Sequence, residues 1–417
     1  MTYFLIGLVI LYGLAAYWLW LGLFRRYPLT EKLPSVSVLV CLRNEETTLP
    51  ELLVTLESLD YPKNLMEIIL VNDQSTDNTA ELISKYTQQS QFHVKVVEIN
   101  PPPYDSRRLK RSAGEQKGGH LEPLFPPAIA GGNKRGVVQN QLGVGEESSP
   151  PVPGGELKGG LLGKTNALIQ GMEQVSHDIV IMTDANARPK PDWIRSLVSY
   201  FRDDVGLVGG PIRIIGKGLW SRLQALDWVY LFAAGSGASG WGFPQSVFGK
   251  NVAIRASVYQ EIGTWKAIPF SVTEDLALLA AVRDRTKWKI RLPLEESITV
   301  DATPTLNFKT LWRQRRRWLI GGVKVTAFGQ FMLLLMLAMS LAIVVSLFVH
   351  PAWGLCLFLI QCILDLPLVA LALNRMGRLD WFIYLPLYRL VYILLLIPIS
   401  LSVLFTRSVH WKDQVHR

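Results

Sequence analysis

Long apolar runs occupy both ends of the chain, and shorter apolar runs alternate with polar segments between them. Residues 3–24 carry no charge and are followed at once by Arg25 and Arg26. As a helix, this stretch is long enough to cross about 30 Å of hydrocarbon. It has neither the basic start nor the small-residue cleavage site of a removable signal. We therefore predict a retained transmembrane anchor at residues 1–24.

Three further apolar segments lie nearer the C-terminus, at residues 325–349, 353–373 and 390–405. They predict a block of about three membrane segments over residues 325–405. The last segment is the shortest, so a re-entrant or interfacial position is an alternative to a fourth crossing. Basic residues follow the first segment at Arg25 and precede the second at Lys324. By the positive-inside rule, the chain between them is predicted to be cytoplasmic, in a protein of the cell's inner membrane.

Between these membrane segments, short apolar runs alternate with amphipathic stretches. Strands are predicted at residues 36–40, 67–71, 94–97 and 178–182, and helices at residues 47–59, 78–86, 164–175 and 192–201. This alternation predicts a doubly wound, mostly parallel α/β sheet in a domain over residues 33–322. Residues 101–160 interrupt the alternation, since they are rich in Pro, Gly and Ser. They are predicted to form a flexible low-complexity insertion, and their mixed charges favour a solvated loop over a polyanion site.

Composition supports a chain with both membrane and water-exposed regions, because 49% of the 417 residues are hydrophobic and only 18% are charged. Lys and Arg number 43 against 34 Asp and Glu, a net charge of +9. That excess is compatible with anionic lipid, nucleic acid or a phosphate-rich substrate. The three cysteines show no metal-ligand spacing with histidine and are predicted to be buried thiols. No Walker sequence or strand-linked Gly-x-Gly-x-x-Gly is present, which argues against a nucleotide triphosphatase or a dinucleotide enzyme.

Polar residues gather where the predicted strands end, and in open α/β sheets ligands bind beyond these carboxyl ends. The first strand is followed by residues 43–46, the second by residues 72–77, and the later one by Asp184 and Asn186. Each group could serve only as a helix cap, and we prefer that interpretation for Asp77. Asp184 and Asn186 could also converge on one hard cation that bridges two phosphates.

Two more groups of residues are open to two interpretations each. Glu274 and Asp275 precede a predicted helix at residues 276–283, where they could cap the helix or supply a general base for a hydroxyl. The segment 312–318 contains four arginines between two tryptophans, just before a membrane segment. It could form a membrane-edge belt, or its guanidinium groups could bind a departing diphosphate.

Four elements in order carry a resemblance to a known family. They are Val71-Asn72-Asp73-Gln74-Ser75-Thr76-Asp77, Asp184-Ala185-Asn186, Thr273-Glu274-Asp275 and Gln314-Arg315-Arg316-Arg317-Trp318. Together they resemble the family 2 glycosyltransferases with a GT-A catalytic domain. The resemblance is to the membrane-embedded group that includes ceramide glucosyltransferase, hyaluronan synthase and cellulose synthase, and it covers about residues 36–318.

The resemblance implies a GT-A fold, a UDP-sugar donor and Mg²⁺ or Mn²⁺ as cofactor. It implies that Asp73 contacts the uracil, that Glu45 lies near the nucleoside and that Lys164 lies beside the donor phosphates. Asp184 would hold the metal, together with Asn186. The family usually has a second aspartate where this chain has Asn186, and a neutral amide binds Mg²⁺ less strongly than a carboxylate, so the number of ligands stays open.

The resemblance also implies roles on the acceptor side of the site. Asp275 would be the general base, with Glu274 beside it in the catalytic pair. Gln314, Arg317 and Trp318 match the element that closes over the diphosphate and the acceptor. Residues 236–242 and 248–251 are predicted to border the acceptor, without assigned roles.

The predicted function is inverting transfer of a sugar from a UDP-sugar to a hydroxyl of a membrane lipid. Lipid or glycan and the membrane are thus the expected partners. A processive polysaccharide synthase is an alternative, although it usually needs more membrane segments for a channel. A non-catalytic membrane adaptor is an alternative of another class, against which the retained acidic residues argue. Nucleic acid is not an expected partner, because the basic residues cluster at membrane-segment ends and in one loop.

Overall fold

The structure is a computed structural model that describes residues 2–99, 164–269, 271–322, 326–405, 409–411 and 414–416. The insertion predicted at residues 101–160 lies outside the described residues. Strands are numbered in chain order: β1 Val36–Leu42, β2 Met66–Asn72, β3 His93–Glu98, β4 Ile179–Thr183, β5 Ala187–Arg188, β6 Val205–Gly209, β7 Ile212–Ile214, β8 Val252–Arg255, β9 Lys289–Arg291, β10 Val300–Ala302, β11 Val409–Trp411 and β12 Gln414–His416.

The helices are numbered in the same way. They are α1 Thr2–Leu23, α2 Leu49–Glu57, α3 Thr79–Gln89, α4 Lys164–Glu173, α5 Trp193–Val198, α6 Gly218–Gly240, α7 Ala256–Glu261, α8 Glu274–Arg285, α9 Phe308–Gly322, α10 Ala327–Val349, α11 Pro351–Arg375 and α12 Leu385–Phe405. Short 3₁₀ turns lie at Lys63–Leu65, Trp265–Ala267, Glu296–Ile298 and Leu379–Tyr384.

The main sheet has seven strands in the order β3-β2-β1-β4-β8-β6-β9. The first four are parallel to one another, β6 and β9 are parallel, and β8 runs antiparallel between β4 and β6. A smaller sheet has the order β5-β10-β7. The predicted mostly parallel α/β sheet is confirmed. The inserted antiparallel strand β8 was not predicted.

Buried side chains on both faces fix the position of the central strands. Val38 and Val40 of β1 pack in one cluster with Leu52 of α2. Leu39 points to the opposite face, where Gly171 lets α4 approach so closely that an added Cβ would lie 2.5 Å from Leu39. This burial of alternate residues on both faces is typical of a central parallel strand. The carboxyl ends of β1, β2 and β4 are thereby held side by side.

Four helical segments are long and apolar enough to cross a membrane: Thr2–Leu23, Ala327–Val349, Pro351–Arg375 and Leu379–Val403. The last is longer than the predicted segment at residues 390–405. Arg375 Nη1 donates to the carbonyl oxygen of Leu23 over 2.7 Å, so α1 and α11 end at the same level. Which side of the membrane the sheet domain occupies stays a prediction.

Helix α6 was missed by the sequence interpretation because its last turns are made of small residues. Residues 233–240 are Ala, Gly and Ser throughout, a composition more typical of loops. In the structure they pack against α1, where a Cβ added at Gly237 would lie 2.3 Å from the carbonyl oxygen of Leu19. Small residues are thus required by the close approach of two helix backbones. Residues 236–242 were predicted to border the acceptor, and that stays a prediction; the end of α6 within them packs on α1.

Candidate active site

The carboxyl ends of β1, β2 and β4 open into a cavity of about 510 Å³. The starts of α4 and α8, part of α6, helix α9 and the loop before β8 also line it. All of the site residues predicted from the sequence line this cavity: Glu45, Asp73, Lys164, Asp184, Asn186, Glu274, Asp275, Gln314, Arg317 and Trp318. The topology thus brings together residues that are up to 273 positions apart in the chain, Glu45 and Trp318 being the extremes.

Two tight turns shape the β1 and β2 end of the cavity. Asn44 and Gln74 adopt left-handed backbone conformations with φ of 54° and 56°. Asn44 Oδ1 accepts a hydrogen bond from the backbone N–H of Thr76 over 2.8 Å, which joins the two turns. Asp73 is 5% exposed, and its carboxylate lies 3.6 Å from Arg43. A buried carboxylate beside a guanidinium can orient a polar ring edge, such as that of a nucleobase.

Asp77 behaves as the helix cap that the sequence suggests. Its Oδ1 accepts a hydrogen bond from the backbone N–H of Thr79, the first residue of α3, and its Oδ2 accepts one from the backbone N–H of Glu46. Although slight burial opposes ionisation, these hydrogen bonds lower the pKa of Asp77. Its carboxylate thus holds the α3 turn in place.

A lysine lies between two carboxylates at the centre of the cavity. Lys164 Nζ is 3.0 Å from Asp184 Oδ1 and 3.0 Å from Glu274 Oε1. Burial opposes ionisation of Asp184, but Lys164 and Lys250 outweigh it and lower the pKa of Asp184 to about 2. Burial likewise opposes ionisation of Glu274, and Lys164 and Arg317 lower its pKa. Both carboxylates are therefore ionised at neutral pH.

The pKa of Asp275 is raised, whereas the pKa of the neighbouring Glu274 is lowered. Burial, followed by the charge of Glu274, raises the pKa of Asp275 to about 6. Its Oδ2 accepts a hydrogen bond from the backbone N–H of Gly249 over 2.9 Å, and its Oδ1 accepts one from Leu276 over 2.8 Å. These bonds fix the carboxylate at the cavity wall. A carboxylate with a pKa close to the working pH is suited to accept a proton from a hydroxyl.

Asp184 and Asn186 present hard oxygen atoms at the end of β4. Lys250 Nζ donates to Asn186 Oδ1 and lies 3.9 Å from Asp184 Oδ2. Within the described part of the chain, no group of three or more His, Cys, Asp or Glu side chains is arranged to hold a metal ion. A Mg²⁺ or Mn²⁺ site at a nucleotide diphosphate requires only one or two protein oxygens, since phosphates and water supply the others. The Asp184 carboxylate fits such a site, with Asn186 as the weaker second donor.

Helix α9 presents Gln314, Arg317 and Trp318 to the cavity at i, i+3 and i+4, the spacing of one helix face. Arg317 Nη1 donates to the carbonyl oxygen of Val272, just before α8, over 3.0 Å. Gly321 lets the two helices approach, because an added Cβ would lie 2.3 Å from Thr273 Oγ1. The guanidinium of Arg317 is thus held near the carboxylates at the start of α8.

Aromatic rings form one wall of the cavity. Trp318 meets Trp228 of α6 edge to face at 4.9 Å between ring centroids, and Phe248 lies 5.7 Å from Trp318. These rings belong to one apolar cluster with Met332 of α10 and Leu368 of α11. An apolar wall therefore connects the polar centre of the cavity to the helices that are long and apolar enough to cross a membrane, which are α1, α10, α11 and α12. These four are called the membrane-type helices below.

Comparison with known proteins identifies the family of this chain. Residues 153–417 match the model of glycosyl transferase family 21, and residues 37–100 match that of glycosyl transferase family 2. The chain belongs to glycosyl transferase family 21. It is a glycosyltransferase of family 2 type, and the predicted resemblance and GT-A fold are confirmed.

Relatives of this family 21 glycosyltransferase are distant in sequence. It is 26% identical over 338 residues to the probable glycosyltransferase YdaM of Bacillus subtilis, with 77% of this chain and 66% of the relative aligned. It is 24% identical over 304 residues to a poly-β-1,6-N-acetyl-D-glucosamine synthase of Staphylococcus aureus strain COL. That alignment covers 71% of this chain and 56% of the synthase.

One solved structure shares the fold over nearly the whole chain. It is the mannosyltransferase PcManGT from Pyrobaculum calidifontis in complex with GDP-Man and Mn²⁺. The two superpose with a TM-score of 0.54 at 16% sequence identity, covering 97% of this chain and 96% of the mannosyltransferase. At this identity the similarity establishes the fold, including the flanking helices.

Some cavity residues were not predicted from the sequence. Arg43, Trp228 and Lys250 line the cavity with no role assigned beforehand. The segment 248–251 was predicted to border the acceptor, and residues 248–250 do line the cavity. The proximity of Lys250 to Asp184 depends on the insertion of β8 next to β4, which no local pattern indicates. A Gly-Lys pair one residue before the apolar run 252–254 was the available signal.

Proposed function

We propose that this glycosyltransferase transfers a sugar from a UDP-sugar to a hydroxyl of a membrane lipid by one inverting displacement. The observation that carries the proposal is the position of Asp275, a carboxylate with a pKa of about 6, in one cavity with Lys164 and Arg317. A base for the acceptor and cations for a leaving diphosphate thus share one space. The finding that the chain is a family 21 glycosyltransferase supports this chemistry.

In the proposed reaction, Asp275 accepts the proton of the acceptor hydroxyl as that oxygen attacks the anomeric carbon. The bond from the anomeric carbon to the diphosphate oxygen breaks, and its electron pair leaves with the diphosphate. Lys164 and Arg317 bind the developing negative charge. Glu274 holds Lys164 in position, since the Nζ to Oε1 distance is 3.0 Å.

On the donor side, Asp73 and Glu45 would bind the nucleoside, and Gln314 and Trp318 would close over donor and acceptor. Asp184 and Asn186 would hold Mg²⁺ or Mn²⁺, which when bound supplies positive charge to the diphosphate. PcManGT, which shares the fold, has Mn²⁺ in its complex with GDP-Man.

A membrane lipid is the proposed acceptor because the wall formed by Trp228, Phe248 and Trp318 is continuous with the membrane-type helices. A lipid hydroxyl could reach Asp275 along this wall from the bilayer. We further propose that the protein is integral to the inner membrane, with the sheet domain in the cytoplasm.

A processive polysaccharide synthase is the second candidate function. It is favoured by the similarity to poly-β-1,6-N-acetyl-D-glucosamine synthase, although this chain spans only 56% of that protein's length. The four candidate membrane segments among the described residues are fewer than a channel for a growing polymer usually needs. The adaptor alternative is contradicted, because the chain belongs to a glycosyltransferase family.

The test uses the full chain in nanodiscs that contain bacterial lipid extract, supplied with a panel of radiolabelled UDP- and GDP-sugars. We expect one UDP-sugar to yield a lipid-extractable product that carries a single sugar. A ladder of long, water-soluble products would contradict the lipid acceptor and support the synthase. Turnover with GDP-sugars alone would contradict the donor. The Asp275→Asn variant, assayed in parallel, controls for contaminating transferases.

A further inference from the structure

Lys250 is a charged cavity residue that the proposed reaction leaves without a role. Its side chain is 14% exposed, and it follows Phe248 and Gly249 on the loop before β8. Its Nζ donates to Asn186 Oδ1 and lies 3.9 Å from Asp184 Oδ2. The ammonium group is therefore at the end of β4, beside the residues proposed to face the donor diphosphate.

The two cavity lysines differ in how their charge is balanced. Lys164 has two carboxylate oxygens at 3.0 Å. Lys250 has a neutral amide as its close partner, and the carboxylate at 3.9 Å is already bound by Lys164. A buried cation with so little compensation is suited to bind an anion.

The loop that carries Lys250 is firmly held. Thr183 Oγ1, at the end of β4, donates to the carbonyl oxygen of Lys250 over 2.9 Å. The next residue, Asn251, is fully buried, and its Nδ2 donates to the carbonyl oxygens of Pro211 and Ile298, each over 2.8 Å. Because these hydrogen bonds hold the backbone, the side chain of Lys250 stays directed into the cavity. The ammonium group is thus preorganised in the cavity.

Asn186 explains why the charge of the second ammonium group is left uncompensated at this point. A carboxylate at position 186 would pair with Lys250 and neutralise it, whereas the amide only accepts a hydrogen bond. The charge of Lys250 consequently stays available to a ligand. Phosphate oxygens, which carry negative charge and accept several hydrogen bonds, match a lysine ammonium group.

We propose that Lys250 is a donor-binding residue whose ammonium group ion-pairs with the diphosphate of the nucleotide sugar. This inference rests on the proposed function, since it assumes a nucleoside-diphosphate donor. Lys250 remains protonated throughout and takes up no proton from the acceptor. Together with Lys164 and Arg317 it binds the charge that the diphosphate gains when the glycosidic bond to it breaks.

The first experiment measures equilibrium binding of UDP and of uridine to the full chain in nanodiscs, with and without Mn²⁺. Lys250→Met is expected to weaken UDP binding by at least about tenfold, as loss of one charged contact does. Uridine binding should stay within twofold of wild type, because uridine has no phosphate. Lys250→Arg should restore most of the UDP affinity. Lys266→Met is the matched control, since Lys266 is 62% exposed and pairs with Glu173.

Equal UDP affinity of wild type and Lys250→Met, within twofold, would overturn the inference. Absence of UDP and GDP binding to the wild type, with and without metal, would instead overturn the proposed function on which it rests. Asn186→Asp adds a sharper test, because the new carboxylate should neutralise Lys250. We expect weaker UDP binding without metal. Metal-free UDP binding equal to that of the wild type in this variant would count against the inference.

A second experiment avoids the risk that a cavity variant fails to fold. Lysines of the wild-type protein are labelled with an amine-reactive reagent, and modification of Lys250 is quantified by mass spectrometry with Lys266 as internal reference. We expect UDP to protect Lys250 at least about fivefold and uridine not to protect it. Equal labelling of Lys250 with UDP and with uridine would contradict the inference.

Discussion

Opposite charges are buried in two regions of this glycosyltransferase, with different consequences. In the cavity, Lys164 lies between Asp184 and Glu274, whose side chains are 32% and 13% exposed. Among the membrane-type helices, Asp365 of α11 and Arg389 of α12 form an ion pair in which both side chains are 0% exposed. The first group faces a cavity that can admit a ligand, whereas the second is enclosed by protein.

The enclosed pair is stabilised by tyrosines from two other helices. Tyr12 of α1 donates its hydroxyl hydrogen to Asp365 Oδ1 over 2.9 Å. The guanidinium of Arg389 lies 4.0 Å from the ring centroid of Tyr230 of α6. Four helices are thereby joined by one polar cluster. The comparison indicates that charges which face a cavity can exchange partners with a substrate, while the enclosed charges fix how helices pack.

The largest effect on transfer is expected at the cavity. Asp275→Asn removes the proposed base while keeping the size of the side chain, so transfer should fall by about 10²–10⁴-fold. UDP affinity and thermal unfolding should stay close to wild type, because Asp275 does not face the diphosphate in the proposed reaction. Transfer is measured as the initial rate of lipid-linked radiolabel. A rate within threefold of wild type in a folded protein would exclude Asp275 as the base.

The largest effect on stability is expected among the membrane-type helices. Arg389→Met leaves Asp365 buried without its cation, which should destabilise the fold by about 3–5 kcal/mol. The double variant Asp365→Leu with Arg389→Met removes both charges and should recover most of the loss. Unfolding in mixed detergent, followed by circular dichroism, measures both. If the single variant is as stable as wild type, the pair does not hold the helices together.

The pH dependence of transfer is expected to show a moderate effect. Burial and the charge of Glu274 raise the pKa of Asp275 to about 6, so the carboxylate is protonated as the pH falls below that value. Transfer at pH 5 should be about tenfold below its plateau. Binding of the UDP-sugar should change little, because the pKa of Asp184 is about 2 and the diphosphate of the UDP-sugar does not titrate in this range.

The Glu274→Gln variant sharpens this prediction. Removal of the neighbouring negative charge should lower the pKa of Asp275 and move the acid limb of the profile to lower pH. A limb that stays in place would show that another group controls it.

The smallest effect is expected where the two regions meet. Arg315 of α9 pairs with Asp227 of α6, and Asp227 Oδ1 also accepts a hydrogen bond from Tyr388 of α12 over 3.3 Å. Asp227→Asn weakens this link, so the face of α9 that carries Trp318 should be held less firmly. We expect the KM for the lipid acceptor to rise about two- to fivefold, with kcat nearly unchanged. A change in kcat alone would contradict this positioning role.

Much of the sheet and site could be predicted because buried parallel strands appear in the sequence as uninterrupted apolar runs. The residues that end β1, β2 and β4 therefore indicated where a ligand binds. Asp73 and Asp184 were found in this way. Lys250 was predicted only to border the acceptor and had no role, because its neighbours across the cavity depend on the antiparallel strand β8, and local patterns do not reveal such a long-range pairing.

The membrane helices show a second limit of sequence interpretation. The predicted last segment begins at residue 390, directly after Arg389, because hydropathy treats a charge as a membrane edge. In the structure α12 begins at Leu385, and Arg389 lies inside the helix bundle, paired with Asp365. A pair formed by two helices is invisible to any analysis of one segment at a time. Similarly, the close approach of α1 is the reason that α6 requires small residues, and no analysis of α6 alone reveals it.

The stereochemistry of the product tests the central claim most directly. One displacement with Asp275 as base and no covalent intermediate on the protein must invert the anomeric carbon. The product formed from an α-linked UDP-sugar is purified, and its anomeric configuration is determined by proton NMR. The proposed mechanism predicts a β-glycoside as the single product. An α-glycoside would show retention and contradict the single displacement.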